Sequence, residues 1–348
     1  MRRLVVFAMV LISVASLFAA GNTAPKKVYK IALCNSFTGN DWRQQMERTA
    51  VVVASKAPYK DQCTLDIVNT ENTAEAMASA IDNLTLKGYD AIIMDPASGT
   101  ALNPAIERAV AAGLVIVCFD QNVTTSVAWN VHTDFDLASK VWATFVAKSM
   151  NGKGNIAFDR GYPGAPISEQ INNVAKGVFA SYPGIKIVGE FDGKYADGEG
   201  QQGMATVLAV NSKIDGVFSQ NYAESMIRAF KEAKRPLVPM GVFDTNGGMI
   251  ALLENNVKAL VVNNIPGLSA IALKLSIQIL NGEKPVKDYL VAPGFLTTTP
   301  GIDLGKGVVV EKIALGKTCF KDLPSSLDWP VLPADFGVVV TPQEILAK

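Results

Sequence analysis

The side chains best suited to chemistry in this 348-residue chain follow short apolar runs. The first run, YKIALC, gives way to NSFTGNDWR, and later runs end in DPASGT and FDQN. In the second half the ends read FDRGYPG, EFDGKY, FSQNY, VFDTNGG and VNNIPG. They collect Asp, Asn, Gln, Arg and aromatic rings, without a Ser-His-Asp set, a Cys-His pair or a GxGxxG turn. Carboxylates and planar amides can take the hydroxyls of a polyhydroxylated ring two at a time, since each hydroxyl both donates and accepts. The apolar face of such a ring packs on a flat aromatic side chain. Trp42 and Tyr195, from opposite halves of the chain, could sandwich it. Asp120, Asp244 and Asn221 are the polar candidates, although Asp and Asn also serve as helix caps at such places. His132, the single histidine, reads as structural. Acid–base work would then need paired carboxylates, and Asp120 and Asp244 qualify only if they face each other.

The elements that carry these ends repeat. VYKIALCN, CTLDIVN, YDAIIMDP and LVIVCFD read as strands, separated by helical segments at 40–56, 73–88 and 101–113. Apolar runs without alternation suit strands buried on both faces. Gly88 and Gly113, just past helix ends, suit left-handed caps. After residue 133 the pattern restarts, with helices expected over 134–150, 167–181, 199–210, 223–234 and 246–256 and strands between them. This is βαβ repetition, hence α/β with parallel sheets. Four or five units per half favour two doubly wound, Rossmann-like lobes; a (β/α)8 barrel is the rival. Residues 291–348, rich in Pro, Gly and Thr, lose the periodicity and read as a tail that crosses between lobes and wraps the surface.

Composition narrows the classes. The chain is 49% hydrophobic with a formal net charge of +0, which suits a large core and offers no field to draw nucleic acid. MRR, then an apolar run over 4–20, then Ala19, Ala20 and Gly21, read as a signal peptide with its cleavage region. Export to the periplasm or another extracytoplasmic space follows, and no Cys stands near the cut to carry a lipid. Of the four cysteines, Cys34 and Cys118 sit inside strand-like runs and are expected as buried free thiols. No cysteine or histidine spacing suggests a metal, and no cofactor is expected.

Several landmarks in order resemble a known family. KIALCNSFTGNDW, LTLKGYDAIIMDPAS, AVAAGLVIVCFDQ, IDGVFSQNYAESMIRAFKEA and MGVFDTNGGMIALLENNVKALVVNNIPG resemble type I periplasmic solute-binding proteins of ABC transporters, in the ribose/galactose-binding group, over about residues 28–285. The resemblance implies two lobes joined by three crossovers, near 132–134, near 264–266 and after about 290, that close on ligand by a hinge. The expected division is an N-terminal lobe of 27–131 plus 266–290 and a C-terminal lobe of 132–265 plus part of 291–348, with residues 1–20 as signal. It also implies a ligand-binding set. The stacking place falls on Trp42, the acid after the fourth strand on Asp120, the Asn of the QN pair on Asn221, the FD acid on Asp244, the amide of the second crossover on Asn264, and the second-lobe aromatic on Tyr195. Gln121 stands where ribose binders carry Arg. Asn172 stands roughly where they carry another Arg, and Arg43 and Arg160 are positional replacements. Gly39, Asp41 and Trp42 replace the ribose-type Asn and Phe loop.

The function implied is an extracytoplasmic substrate-binding component that takes a pentose, hexose or related polyol in the cleft and delivers it to permease subunits. The alternative is a binder of a non-sugar polar ligand or autoinducer, for uptake or for a chemoreceptor. A LacI-type regulator shares the fold but needs an N-terminal helix-turn-helix where a signal stands. An enzyme on this scaffold is a further alternative that is not expected. A monomer without nucleic-acid partners is the family expectation.

Overall fold

The computed structural model describes residues 27–347. The first lobe opens with β1 (Tyr29–Asn35), α1 (Asp41–Ala54), β2 (Cys63–Asn69), α2 (Ala74–Leu86), β3 (Ala91–Asp95), α3 (Asn103–Ala111), β4 (Val115–Phe119) and β5 (Trp129–Thr133). The chain then crosses into α4 (Phe135–Ser149), β6 (Lys153–Asp159), α5 (Pro166–Ala180), β7 (Gly184–Phe191), α6 (Asp197–Val210), β8 (Gly216–Tyr222), α7 (Ala223–Glu232), β9 (Met240–Phe243), α8 (Asn246–Glu254) and β10 (Ala259–Asn263). It returns through α9 (Leu268–Leu280) and β11 (Asp288–Val291), and goes back through β12 (Gly294–Thr297) and β13 (Glu311–Lys312) before α10 (Pro342–Leu346).

Two open sheets result, so the barrel does not form. The first has the order β11-β5-β4-β3-β1-β2 and the second β13-β12-β10-β9-β8-β6-β7. All pairs in the first are parallel. In the second, β12 runs antiparallel to β10. The central strands are the ones the apolar runs predict: every residue of β3 is buried, as is β1 from Ile31 onward. Gly88 and Gly113 close their helices at φ of 69° and 99°. Among the described residues no helix is long and apolar enough to cross a membrane. The segment read as a signal peptide lies outside the described residues.

Each sheet is covered on both faces. α1 and α9 shield one face of the first sheet and α2 and α3 the other. α4 and α5 oppose α6 to α8 around the second. The segments β5, β11, β12 and β13 are strands the sequence does not announce; β5 and β11 complete the first sheet beside each other. There His132 Nε2 lies 2.8 Å from Asp288 Oδ1, a structural pairing. All four cysteines are free and buried.

The tail is more than a wrap. Ile313 and Cys319 join the second-lobe core, whereas Val331, Leu332, Phe336 and Ile345 join the first-lobe core. Residues 320–331 therefore make a fourth passage between the lobes.

Candidate functional site

Ligands of doubly wound sheets bind beyond the C-terminal strand ends, where the strand order reverses. In the first sheet that point lies between β1 and β3, and α1 starts there. Asn40 caps α1 by accepting the Arg43 backbone N–H at 2.9 Å. The first turn then presents Trp42 and Arg43. Arg43 Nη1 donates to Asn35 Oδ1 at 2.9 Å and pairs with Asp95 Oδ2 at 2.5 Å. Burial pushes the Asp95 carboxyl well up, and the guanidinium opposes that. Gly39 is not in the left-handed region; a Cβ there would meet the ring of Phe37.

Between the two sets of strand ends lies a cavity of about 140 Å³. The first lobe lines it with Asn40, Trp42, Arg43, Asp120 and Gln121. The second contributes Phe135, Ile167, Tyr195, Tyr222, Phe243 and Asp244. Asn264 comes from the second crossover and Asp328 from the tail. A cavity of about 150 Å³ holds one benzene ring. This one therefore suits a single sugar ring or a short open-chain polyol, and no disaccharide.

Asn264 ties the parts together. Its Oδ1 accepts from Thr133 Oγ1 at 2.6 Å, its Nδ2 donates to Asp120 Oδ1 at 3.1 Å, and its carbonyl accepts from Trp42 Nε1 at 2.7 Å. The first two crossovers, the end of β4 and the start of α1 thus meet at one amide. Asp120 holds φ 61°, a left-handed geometry that Asp tolerates at a cost of about 1 kcal/mol. With its indole N–H bound to Asn264, Trp42 can offer only its faces.

On the facing lobe Lys194 and Tyr195 are both left-handed, at φ 54° and 55°. Asn221 holds that turn: its Nδ2 donates to Gly193 O at 2.9 Å and Ala196 O at 2.7 Å. Asp159 Oδ1 accepts the Gly161 and Gly193 N–H groups at 2.9 and 2.8 Å, and Oδ2 accepts from Ser219 Oγ. Tyr195 OH donates to Gln220 Oε1 at 3.1 Å and lies 2.5 Å from Ser168 Oγ.

The structure thus brings Trp42, Arg43, Asp120, Gln121, Tyr195, Asp244 and Asn264 to one cavity. Asn221 stays behind it as the support of Tyr195. Asn172 is also a support: its Oδ1 accepts from Gln220 Nε2 at 2.8 Å. Arg160 points to the rim, where Asp192 at 2.8 Å and Glu190 pair with it. Asp41 is exposed on the first turn of α1 and is not among the residues that line the cavity. Neither Arg160 nor Asn172 supplies the arginine of a ribose-type pocket. Asn40 and Tyr222 stand next to candidate residues at polar strand ends, but nothing in the sequence singles out Asp328.

Five carboxyls away from solvent share one direction. Burial raises Asp95, Asp244, Asp328 and Glu224, and raises Asp159 to about 6 against the pull of its three donors. Unfolded carboxyls titrate near pH 4. Between that pH and the raised folded values the native state binds the extra protons, so stability falls as pH rises through the window. The melting temperature is expected to be higher at about pH 5.5 than at about pH 8. Asp159→Asn should flatten part of that slope, and a melting temperature that rises over this range would contradict the assignment.

A family model described as periplasmic binding protein domain matches residues 31–284. A xylitol-binding protein of Mycolicibacterium smegmatis is 30% identical over 192 residues, covering 53% of this chain and 54% of that one, so the chain aligns with about half of that relative's length. The ribose import binding protein of Bacillus subtilis is 24% identical over 285 residues, covering 80% of this chain and 90% of that one. Among solved structures, an ABC transporter solute-binding protein from Thermobispora bispora superposes with a TM-score of 0.68 at 28% identity, covering 76% of this chain and 84% of that one.

Proposed function

The chain belongs to the periplasmic binding protein domain family, and on that premise we propose that it is the solute-binding component of an ABC importer, holding one small neutral carbohydrate or polyol between its lobes. The observation that carries this reading is the composition of the cavity. Trp42 and Tyr195 face it from opposite lobes, and Asp120, Asp244, Asp328, Asn40, Gln121 and Asn264 surround them. Carboxylates and amides at that density match hydroxyl groups, and the rings match the apolar face of a sugar.

The xylitol- and ribose-binding relatives support the same ligand class. The protein acts outside the cytoplasm after its signal segment is removed, works as a monomer, and hands the ligand to membrane permease subunits in the closed form. It performs no chemistry on the ligand.

A thermal-shift panel of pentoses, hexoses, pentitols and inositols tests this. A ligand that binds only the native state adds about 2.7 kcal/mol at a hundred times its Kd, a shift of several degrees for a protein this size. One member of the panel should produce it. No shift with any member, beside a shift with a furanone or an amino acid, would replace the carbohydrate reading by another polar ligand.

A further inference from the structure

The three carboxylates of the cavity come from unrelated parts of the chain. Asp120 follows β4 and Asp244 follows β9, whereas Asp328 lies beyond the last crossover, in the tail. We propose that Asp328 contacts the ligand and sets its specificity, accepting a hydroxyl from a neutral polyol and excluding ligands that carry a carboxylate or phosphate. This inference rests on the carbohydrate reading above.

The tail is anchored on both sides of Asp328. Before it, the Asn246 backbone N–H donates to Leu327 O at 2.8 Å and the Gly247 N–H to Ser325 O at 2.9 Å, which fixes residues 325–327 to the start of α8. After it, the Gly267 N–H donates to Val331 O at 2.9 Å at the second crossover. The space is closed at that contact, since a Cβ on Gly267 would fall 2.0 Å from Val331 O. Asp328 therefore sits where the tail leaves one lobe for the other, directly on the cavity.

Gln45 of α1 then orients it. Gln45 Oε1 accepts the Asp328 N–H at 3.0 Å, and its Nε2 donates to Asp328 Oδ2 at 3.0 Å and to Ser326 O at 2.9 Å. This clamp takes Oδ2 and leaves Oδ1 to a ligand. Asp328 is only 5% exposed.

The surrounding charge explains the selectivity. Asp41 from α1, Glu224 from α7, Asp244 from the end of β9 and Tyr222 from the end of β8 all face Asp328, and none is cationic. Among the described residues that line the cavity, Arg43 is the single cation, and Asp95 already engages it. A second anion entering here would meet Asp120, Asp244 and Asp328 without an unengaged partner. A hydroxyl meets no such penalty, because a carboxyl accepts from it whether or not it carries a proton.

Calorimetric titration of the full chain tests this, with ribose, xylitol and glucose as neutral probes and ribonate, xylonate and glucuronate as acids. The wild-type protein should bind a neutral probe at least roughly a hundredfold tighter than its acid, the size of an uncompensated charge in a dry site. Asp328→Asn should weaken the neutral probe about tenfold, as expected for loss of one ligand hydrogen bond, and narrow the acid discrimination by a similar factor at a pH where Asp328 is ionised. Asp322→Asn, on the exposed part of the tail, is the control and should change neither.

If the wild-type protein binds ribonate as well as ribose, the inference is overturned without any substitution. It is also overturned if Asp328→Asn weakens both classes equally, which would mark a structural role, or weakens neither. Failure of the wild-type protein to bind any probe would instead remove the carbohydrate reading, and this inference with it.

Discussion

Trp42→Ala is expected to weaken ligand binding about a hundredfold and to leave the protein folded. The indole is half-buried at the edge of the first-lobe core, and its N–H is committed to the carbonyl of Asn264. What remains for a ligand is the flat face. Covering that face removes apolar area from water at about 25 cal/mol per Å² and adds a ring contact of about 1 kcal/mol. A loss of roughly 2–3 kcal/mol follows, which is roughly 30- to 150-fold in Kd. Trp42→Phe separates the two contributions. It keeps a face and drops the bond to Asn264, so it should cost about tenfold or less. Calorimetry with the best probe of the panel reads both. An alanine variant within threefold of wild type would take Trp42 out of the contact set, whatever else the cavity binds.

Trp42 and Asp328 mark how far the sequence could be read. β1, β3 and β4 are unbroken apolar runs because they are covered on both faces, so their ends, and the polar residues on them, can be located without coordinates. β5, WNVHT, mixes half-buried and buried positions beside the sheet edge, and β11 has three exposed residues out of four, so neither carries an apolar signature. Positional likeness placed Arg160 in the site. The carboxylates of Asp192 and Glu190 on the neighbouring strand end hold it at the rim instead, a competition that only the folded pairing of β6 with β7 creates. Asn221 was legible as a polar strand end, but the two carbonyls that occupy its amide belong to a loop nearly thirty residues away. Asp328 was not legible at all. Its place follows from Asn246, Gly267 and Gln45, each of which reaches it or its neighbours across a long stretch of chain, and no periodicity encodes such contacts.

Asn246→Ala is the substitution with the largest expected effect on stability. Asn246 is fully buried at the first turn of α8. Its Nδ2 donates to the carbonyls of Phe320, Leu323 and Pro324 at 2.9, 3.1 and 3.0 Å, and its Oδ1 accepts the Phe320 N–H at 2.6 Å. Alanine leaves that N–H and the carbonyls buried without their partner, at about 1–3 kcal/mol for the worst-placed group and about 1 kcal/mol for each of the others. A total of roughly 4–6 kcal/mol is expected, read as a lower urea midpoint. Asn246→Asp should do no better: it still accepts from Phe320 but turns a carboxylate oxygen toward three carbonyls. The damage should not stay local, because the segment that Asn246 grips leads straight to Asp328. Release of the tail removes Val331, Leu332 and Phe336 from the first-lobe core and Ile313 and Cys319 from the second. Limited proteolysis should then cut within 321–327 much faster than in the wild-type protein, and ligand affinity should fall in the same variant. A variant that keeps both its urea midpoint and its protease resistance would mean that the tail is held elsewhere. One that loses its tail but keeps its affinity would separate the fourth passage from the site, and with it the reason for Asp328 to stand where it does.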